Sequence, residues 1–424
     1  MKRWLSLPVR ILLGFVAGVA LGVVARSAWP DHIEWSVTSI AKPLGEVFLR
    51  LVFMTVMPLI FCSLALGVAG LKDLVTLGRV GLKTLAFTLV ISSIAVLVGV
   101  GLVNVVRPGE GLSPEAQAKL VARKGGEAHI ENATKAKTKG IGDALVEIIP
   151  KNVVADAAAG NFMSVMFFAF IFGLALAMIE PSRAEPVVKV MEGTFDALLK
   201  IIGLAMLLAP IGVAALVYST VSTLGAEILG LLAKFVAVAV VGLAFHQFVV
   251  YSVILKYFAG VSPRWFFRQT REAMLLAFAT SSSNATLPTS LVVTHTMLGV
   301  PKDITNFVLT LGSTANQNGT ALFEGVTILF LAQLYGVDLT MAQQLQVVAM
   351  SILAGVGTAG VPGGSLPVIV LVMQSVGIPA EGIGVILGVD RFLDMCRTTL
   401  NVTGDIVVAT YVARSEGHVL VARM

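Results

Sequence analysis

Between Asp390 and Asp405 the chain carries three carboxylates and two guanidinium groups, in a segment that otherwise reads as membrane-embedded. Asp390, Asp394, Arg397, Asn401 and Asp405 follow one another at +4, +3, +4 and +4. At about 100° per residue these side chains fall on one helical stripe about 80° wide. An ionisable group at mid-membrane costs at least ~2.5 kcal/mol on insertion scales. Several on one stripe therefore require a partner, an ion, a substrate or a water-filled cavity.

The elements that position this stripe are helices in a bilayer. The chain has 424 residues, 56% hydrophobic and 13% charged, with a mean hydropathy of +0.90. Soluble globular proteins carry about 25% charge, so an all-α polytopic membrane protein is expected. The net charge of +5 is not a nucleic-acid signal, because the basic residues cluster at helix ends. The two cysteines, Cys62 and Cys396, lie in apolar segments, and no disulfide framework is expected. Met1-Lys2-Arg3-Trp4 and the run Ile11 to Val24 have the flanks of a signal peptide. The run is long and lacks a small-x-small cleavage site, so a retained first helix is expected.

Apolar runs mark spans near 8–28, 43–70, 81–106, 160–180, 195–222 and 229–258. A β-barrel would show short alternating segments instead. The polar stretch 107–152 reads as an extramembrane loop. Lys2, Arg3 and Arg10 precede the first span, Lys72, Arg79 and Lys83 separate the second and third, Arg183 and Lys189 follow the fourth, and Lys256, Arg264, Arg268 and Arg271 follow the sixth. The short loops 29–42 and 223–228 hold one Lys and no Arg. That asymmetry places the N-terminus in the cytoplasm and puts 107–152 outside.

After residue 260 two apolar segments are interrupted by small polar residues and a Leu-Pro pair. One is Thr280-Ser281-Ser282-Ser283-Asn284-Ala285-Thr286-Leu287-Pro288, the other Gly357-Thr358-Ala359-Gly360-Val361-Pro362-Gly363-Gly364-Ser365-Leu366-Pro367. Both read as re-entrant helical hairpins whose tips meet inside the membrane, where irregular backbone must be buried or line a cavity. The plainer alternative is a pair of kinked helices with Ser/Gly packing faces. Between them, Gly312-Ser313-Thr314-Ala315-Asn316-Gln317-Asn318-Gly319-Thr320 interrupts an apolar helix. Unwound there, the backbone frees carbonyls for a hard cation such as Na⁺; a polar helix–helix contact is the bland reading.

Ser281-Ser282-Ser283, Asn316 to Thr320, Gly357 to Gly363 and Asp390 to Asp405, in that order, resemble the dicarboxylate/amino acid:cation symporters, the glutamate transporter family. The resemblance covers nearly the whole chain and is specific in the last third. It implies eight transmembrane helices, two re-entrant hairpins, inverted repeats, a homotrimer in the prokaryotic cytoplasmic membrane with both termini cytoplasmic, and an elevator-type transport domain moving against a scaffold. It implies no enzyme activity and no cofactor beyond coupling ions. The resulting division is helices 1–3 over 1–106, an extracellular loop over 107–152, helices 4–6 over 153–258, a first hairpin over 259–300, a broken helix 7 over 301–338, a second hairpin over 339–379, and helix 8 with a tail over 380–424.

Carried over by motif, Arg397 resembles the residue that pairs with the substrate side-chain carboxylate, a task suited to a guanidinium fork. Asp394 resembles the acceptor of the substrate amine. Thr320, Thr398 and Asn401 resemble polar substrate contacts, and Ser282 and Val361 hairpin positions whose backbone reaches the substrate. Asp405 with backbone at Gly312, Asn316 and Asn401 resembles one sodium site. Thr314 and Thr358, with backbone near Gly355 and Val356, resemble a second. Asp390 resembles a supporting residue behind the substrate contacts. An i,i+3 ion pair without a ligand is the structural alternative for Asp394 and Arg397. Arg397 argues against neutral substrates, Asp394 against dicarboxylates without an amine, so glutamate or aspartate is expected.

The chain also departs from the family pattern. Asn318 stands where many sodium-coupled members have Asp, and Thr88, Ile91 and Ser92 occupy the stretch that supplies hydroxyls to a third cation site. That site, at Asn318 and Ser92, is expected to be weak. Glu324, one turn past Thr320, resembles the proposed proton carrier of proton-coupled relatives, so proton coupling is expected to replace part of the sodium coupling. Thr280 and Met395 stand where relatives place an Arg. Arg391 is nearby but points about 80° away from the mean of the stripe. Other classes fit less well. Asp390 and Asp405 lie about 22 Å apart on one helix, too far for a protease dyad. His246 and His295 read as packed core residues. A C4-dicarboxylate symporter and an anion channel of the same fold are the alternatives.

Overall fold

The computed structural model describes residues 7–69, 79–113, 115, 149–158, 162–225, 227–357 and 365–420. Every regular element among these residues is helical. The long helices are α1 (Leu7–Ala28), α2 (Lys42–Phe53), α3 (Val56–Ala69), α4 (Arg79–Val106), α5 (Phe162–Met178), α6 (Pro181–Leu224) and α7 (Glu227–Phe245). Then come α8 (Pro263–Thr280), α9 (Ser283–Thr296), α10 (Lys302–Ala315), α11 (Asn318–Tyr335), α12 (Met341–Gly357), α13 (Leu366–Ser375) and α14 (Ile383–Ser415). Most of the loop expected over 107–152, and the tip of the second hairpin at 358–364, lie outside the described residues.

Among the described residues, four helical stretches are long and apolar enough to cross a membrane: Val9–Ala28, Arg79–Val106, Pro181–Thr223 and Glu227–Phe258. The last includes α7 and its continuation through wide π turns at His246–Val250 and Ile254–Phe258. The stretch 43–70 is two helices rather than one span. The interruption at Met54–Thr55 sits a turn before Pro58, which has no amide hydrogen and crowds the carbonyl four residues back. In contrast, 181–195 is not a loop. Pro181 opens α6 in its first turn, where a missing amide hydrogen costs nothing. Lys189 then donates to Glu185 at 2.6 Å, the favourable i,i+4 order. The resulting helix has 44 residues, about 66 Å of rise.

α11 is the axis of the core: all of its residues except Gln333 are buried. It packs against α4, α7, α12 and α14. The second hairpin, α12 and α13, packs directly on it, and the first, α8 and α9, packs on α14 and α10. α8 ends where Ser281 takes a left-handed backbone, φ 51°. Ser282 caps α9, its hydroxyl accepting from the Ala285 amide at 3.2 Å, so the chain turns back within two residues. α12 and α13 pack against each other as the second pair.

One end of the bundle is tied by charge. Glu416, just past α14, accepts from Lys83 Nζ and from Arg79 Nη2, both at 2.5 Å. Arg414 Nε donates to the Ala259 carbonyl at 2.9 Å, and Phe87 stacks on Tyr411 with centroids 3.8 Å apart. The starts of α4 and α8 and the end of α14 thus share one end, which gathers the basic residues 79–83 and 256–271. Hydrogen bonds from Arg79 and then Lys83 hold the Glu416 carboxyl below the usual glutamate range. A depressed carboxyl contributes stability above its unfolded pKa, about 4.3, and loses it as pH falls through the folded value. Glu416→Gln is expected to lower the melting temperature at pH 7. The gap to the parent should close progressively below about pH 4; a melting curve series in detergent checks this, and a pH-independent gap would contradict it.

Candidate substrate and cation site

The stripe on α14 faces inward along its length. Asp390 is 6% exposed, Asp394 5%, Arg397 1%, Asn401 2% and Asp405 4%. At its upper part, Arg397 Nε donates to Asp394 Oδ1 at 2.9 Å and Nη1 to Asp390 Oδ1 at 3.1 Å. The guanidinium also lies over the Phe323 ring, 4.4 Å from its centroid. A buried Arg is thereby fixed by two carboxylates and one aromatic face, with its planar fork held in one orientation. Asp394 is shared, since Arg391 Nη1 reaches its Oδ2 at 3.2 Å. Arg391 sits off the stripe, yet its long side chain bends back to it. The helical wheel treats a side chain as a direction and misses this reach.

Below the ion pairs the stripe meets the interruption between α10 and α11, at Asn316–Gln317. Asn401 joins the two. Its amide nitrogen donates to Gln317 Oε1 and, at 3.1 Å, to Thr320 Oγ1, and its oxygen accepts from the Gly319 amide at 2.7 Å. Gly319 is required by close approach: a Cβ there would stand 2.5 Å from the Arg397 carbonyl oxygen. Gly312 is required for the same reason, because a Cβ would collide with the Asp405 carboxylate. The glycines let α10 and α11 lie against α14 at the level of its charged groups.

Asp405 accepts from Asn316 Nδ2 at 2.8 Å. The Asn316 side-chain oxygen is buried and makes no hydrogen bond among the described residues. Beside them is a cavity of about 10 Å³, close to the space of one water-sized sphere, lined among others by Thr84, Thr88, Gly312, Asn316 and Asp405. Leu85, Val308, Leu311, Ala315 and Val408 make up the rest of its wall, so the space is mostly apolar and the Asp405 carboxylate, the Asn316 amide and the two threonines bring to it the oxygen donors that hard cations prefer. Among the described residues no cluster of His, Cys, Asp and Glu could hold a transition metal.

Asn318 and Ser92 are brought into direct contact. Ser92 Oγ donates to Asn318 Oδ1 at 2.6 Å, Asn318 Nδ2 donates to the Tyr251 hydroxyl at 3.0 Å, and Tyr251 donates to the Leu400 carbonyl at 3.2 Å. Both ends of the Asn318 amide are thus satisfied by neutral protein groups. Thr88 is not part of this chain; it lines the Asp405 cavity instead. Ile91 is fully buried.

Glu324 is fully buried on α11, and neither carboxyl oxygen makes a hydrogen bond among the described residues. It lies near enough to Arg397 to feel its charge. Thr398 is buried next to Arg397 on α14. Ser282 is buried at the first hairpin tip, on a hairpin that packs against α14. Gly355 on α12 approaches the Gln317 carbonyl, with a Cβ there 3.4 Å from that oxygen. Thr314 and Val356 lie on α10 and α12. Thr358 and Val361 fall outside the described residues.

Gln317, Tyr251, Thr84 and Phe323 were not singled out by the sequence reading. Gln317 stood inside the polar run and could have been. Tyr251 and Phe323 sit in apolar helices, where nothing in the pattern separates a ligand-ordering ring from a packed one. His246 is fully buried and meets Tyr251 edge-on at 4.8 Å. Cys62 and Cys396 are free thiols.

The likeness to known proteins runs through all of these helices. The model of the sodium:dicarboxylate symporter family matches residues 7–415. The chain is 34% identical over 411 residues to a proton/glutamate-aspartate symporter of Escherichia coli (strain K12), covering 97% of this chain and 93% of that one. It is 34% identical over 415 residues to a proton/sodium-glutamate symport protein of Bacillus subtilis (strain 168), with coverages of 97% and 93%. A C4-dicarboxylate transport protein of Laribacter hongkongensis (strain HLHK9) is 32% identical over 416 residues, with coverages of 98% and 90%. These relatives are transporters rather than enzymes, and the chain belongs to the sodium:dicarboxylate symporter family.

Proposed function

We propose that the protein is a secondary active symporter of acidic amino acids, glutamate or aspartate, coupled to H⁺ and Na⁺. The observation that carries the reading is the buried Arg397 between Asp390 and Asp394. It offers a cation for one end of the substrate and an acceptor for the other. On binding, the substrate side-chain carboxylate takes the fork of Arg397, and Asp390 continues to orient the guanidinium. The substrate amine takes Asp394. Asn401 and Thr320 contact the main carboxylate, with Thr398, Ser282 and Val361 closing around the substrate from α14 and the two hairpins.

A cation binds at Asp405 with Asn316, Gly312 and the Asn401 backbone, where the unpartnered Asn316 side-chain oxygen beside a small cavity supports it. A second uses Thr314, Thr358, Gly355 and Val356. Glu324 carries the proton, as the titratable group one turn beyond Thr320. The protein works as a homotrimer in the plasma membrane by an elevator movement, with both termini cytoplasmic. Uptake into proteoliposomes from a panel of acidic substrates, with each ion gradient imposed separately, tests the whole reading. Accumulation of glutamate or aspartate against a gradient supports it. Flux without accumulation would favour a passive anion channel.

One observation favours a second substrate class. Arg391 occupies the other oxygen of Asp394, so part of the negative charge meant for an amine is already compensated. Two arginines around one aspartate suit a C4-dicarboxylate, as the name of the Laribacter relative suggests. Under the amino acid reading, Arg391→Gln frees Asp394 and is expected to lower the KM for aspartate several-fold while leaving succinate transport negligible. Succinate uptake that is lost in this variant would favour the dicarboxylate.

The third cation position is expected to be absent here because Ser92 and Tyr251 satisfy Asn318 internally. Asn318→Asp places a second acceptor and a charge in a fully buried position that needs a cation. Uptake by this variant is expected to depend more steeply on Na⁺ than the parent, with the apparent Na⁺ affinity rising by roughly tenfold. An unchanged Na⁺ dependence would contradict that.

A further inference from the structure

The outer face of α8 carries a stripe unused by the site. Arg264, Arg268, Arg271, Leu275 and Phe278 follow one another at +4, +3, +4 and +3, within about 80° on the helix. All five are exposed, Leu275 at 68% and Phe278 at 37%. The opposite face of α8, with Phe266, Thr270, Ala273 and Ala277 all at 0% exposure, packs on α9 and α14. None of the three guanidiniums is in an ion pair among the described residues.

The order along the stripe matters more than its charge. The arginines occupy the first part of the helix and the apolar pair the last part before the hairpin tip. Polarity switches between Arg271 and Leu275, over about 6 Å, and the whole stripe spans about 21 Å. The chain just before the arginines exposes aromatic rings, Tyr257 at 70% and Phe258 at 62%. Lys256 lies 5.1 Å from the Tyr257 ring centroid, and Trp265 is half-buried between Arg264 and the core. Exposed aromatics and arginines at one level mark a headgroup layer, and exposed apolar side chains one turn deeper mark the acyl region.

We propose that this stripe is a binding site for an anionic phospholipid. The guanidiniums take the phosphate groups in their forks, and Leu275 and Phe278 lie along an acyl chain. A lipid held here would anchor the arm that leads to Ser281 and Ser282. The proposal rests on the membrane location and the geometry of α8, and does not depend on which substrate is carried.

The test uses the full chain with Trp265 as its sole tryptophan (Trp4→Phe, Trp29→Phe and Trp35→Phe), reconstituted in phosphatidylcholine vesicles. Brominated phosphatidylglycerol or brominated phosphatidylcholine is added as the quencher. Half-maximal quenching of Trp265 is expected at a mole fraction at least about fivefold lower for phosphatidylglycerol, the effect of one basic contact at a membrane surface. Raising NaCl tenfold should shrink that preference, and Arg264→Gln, Arg268→Gln and Arg271→Gln together should remove it. If the triple variant does not fold, Arg268→Gln alone should lower the preference by about fivefold. Equal quenching by the two lipids, or a preference unchanged by these substitutions, overturns the proposal. Quenching by neither lipid also overturns it, because a protein surface would then cover the stripe.

Discussion

Replacing Arg397 with Ala is expected to reduce saturable uptake of glutamate and aspartate by about 10- to 100-fold. A charge-assisted fork to a carboxylate in a water-poor site contributes roughly 1.5–3 kcal/mol. The substitution also leaves Asp390 buried without its cation and Asp394 with Arg391 alone. Breaking a buried ion pair by removing one partner costs about 3–5 kcal/mol, so stability falls along with binding. Arg397→Lys separates the two effects. It keeps the charge near the two aspartates but loses the fork that engages both at once. That variant is expected to fold with a melting temperature close to the parent, and to show a KM for aspartate raised by more than tenfold. Uptake measured with size-exclusion profiles and melting temperatures on the same samples decides the matter. Unchanged uptake in Arg397→Ala would remove Arg397 from the substrate site.

The all-helical membrane architecture was legible because hydrophobic runs of this length leave little choice of structure. The ends of those runs were not. Pro58 divides 43–70, and an i,i+4 ion pair carries α6 through the polar stretch before 195; both are local effects that hydropathy averages away. The inward-facing stripe followed from spacing alone, since Asp390, Asp394, Arg397, Asn401 and Asp405 share one face of a single helix. What spacing could not give was contact between helices. Tyr251 is 67 residues from Asn318, and Ser92 is 226 from it. Nothing in a one-dimensional pattern brings them together. Arg391 shows the opposite failure, because the wheel placed it off the stripe and its length defeated the wheel.

In the proposed scheme the substrate charge and the proton are handled on different helices, and this makes the second large prediction separable from the first. Arg397 is on α14 and Glu324 on α11, in a position with no hydrogen-bond partner among the described residues. A carboxyl that loads a proton on one side and releases it on the other moves charge only when it changes state. Glu324→Gln cannot change state but keeps the shape and remains uncharged, so the loaded protein should still cross. Uptake driven by an inward H⁺ gradient is therefore expected to fall by about tenfold or more. Exchange of internal for external aspartate should persist near the parental rate, with its pH dependence flattened. The return of the empty protein is the step that needs proton release, and only net uptake requires it. Parallel measurements of gradient-driven uptake and homo-exchange at several pH values distinguish these cases. Net uptake that still follows the H⁺ gradient in Glu324→Gln would show that another group carries the proton. Loss of both net uptake and exchange would instead make Glu324 part of substrate binding or folding.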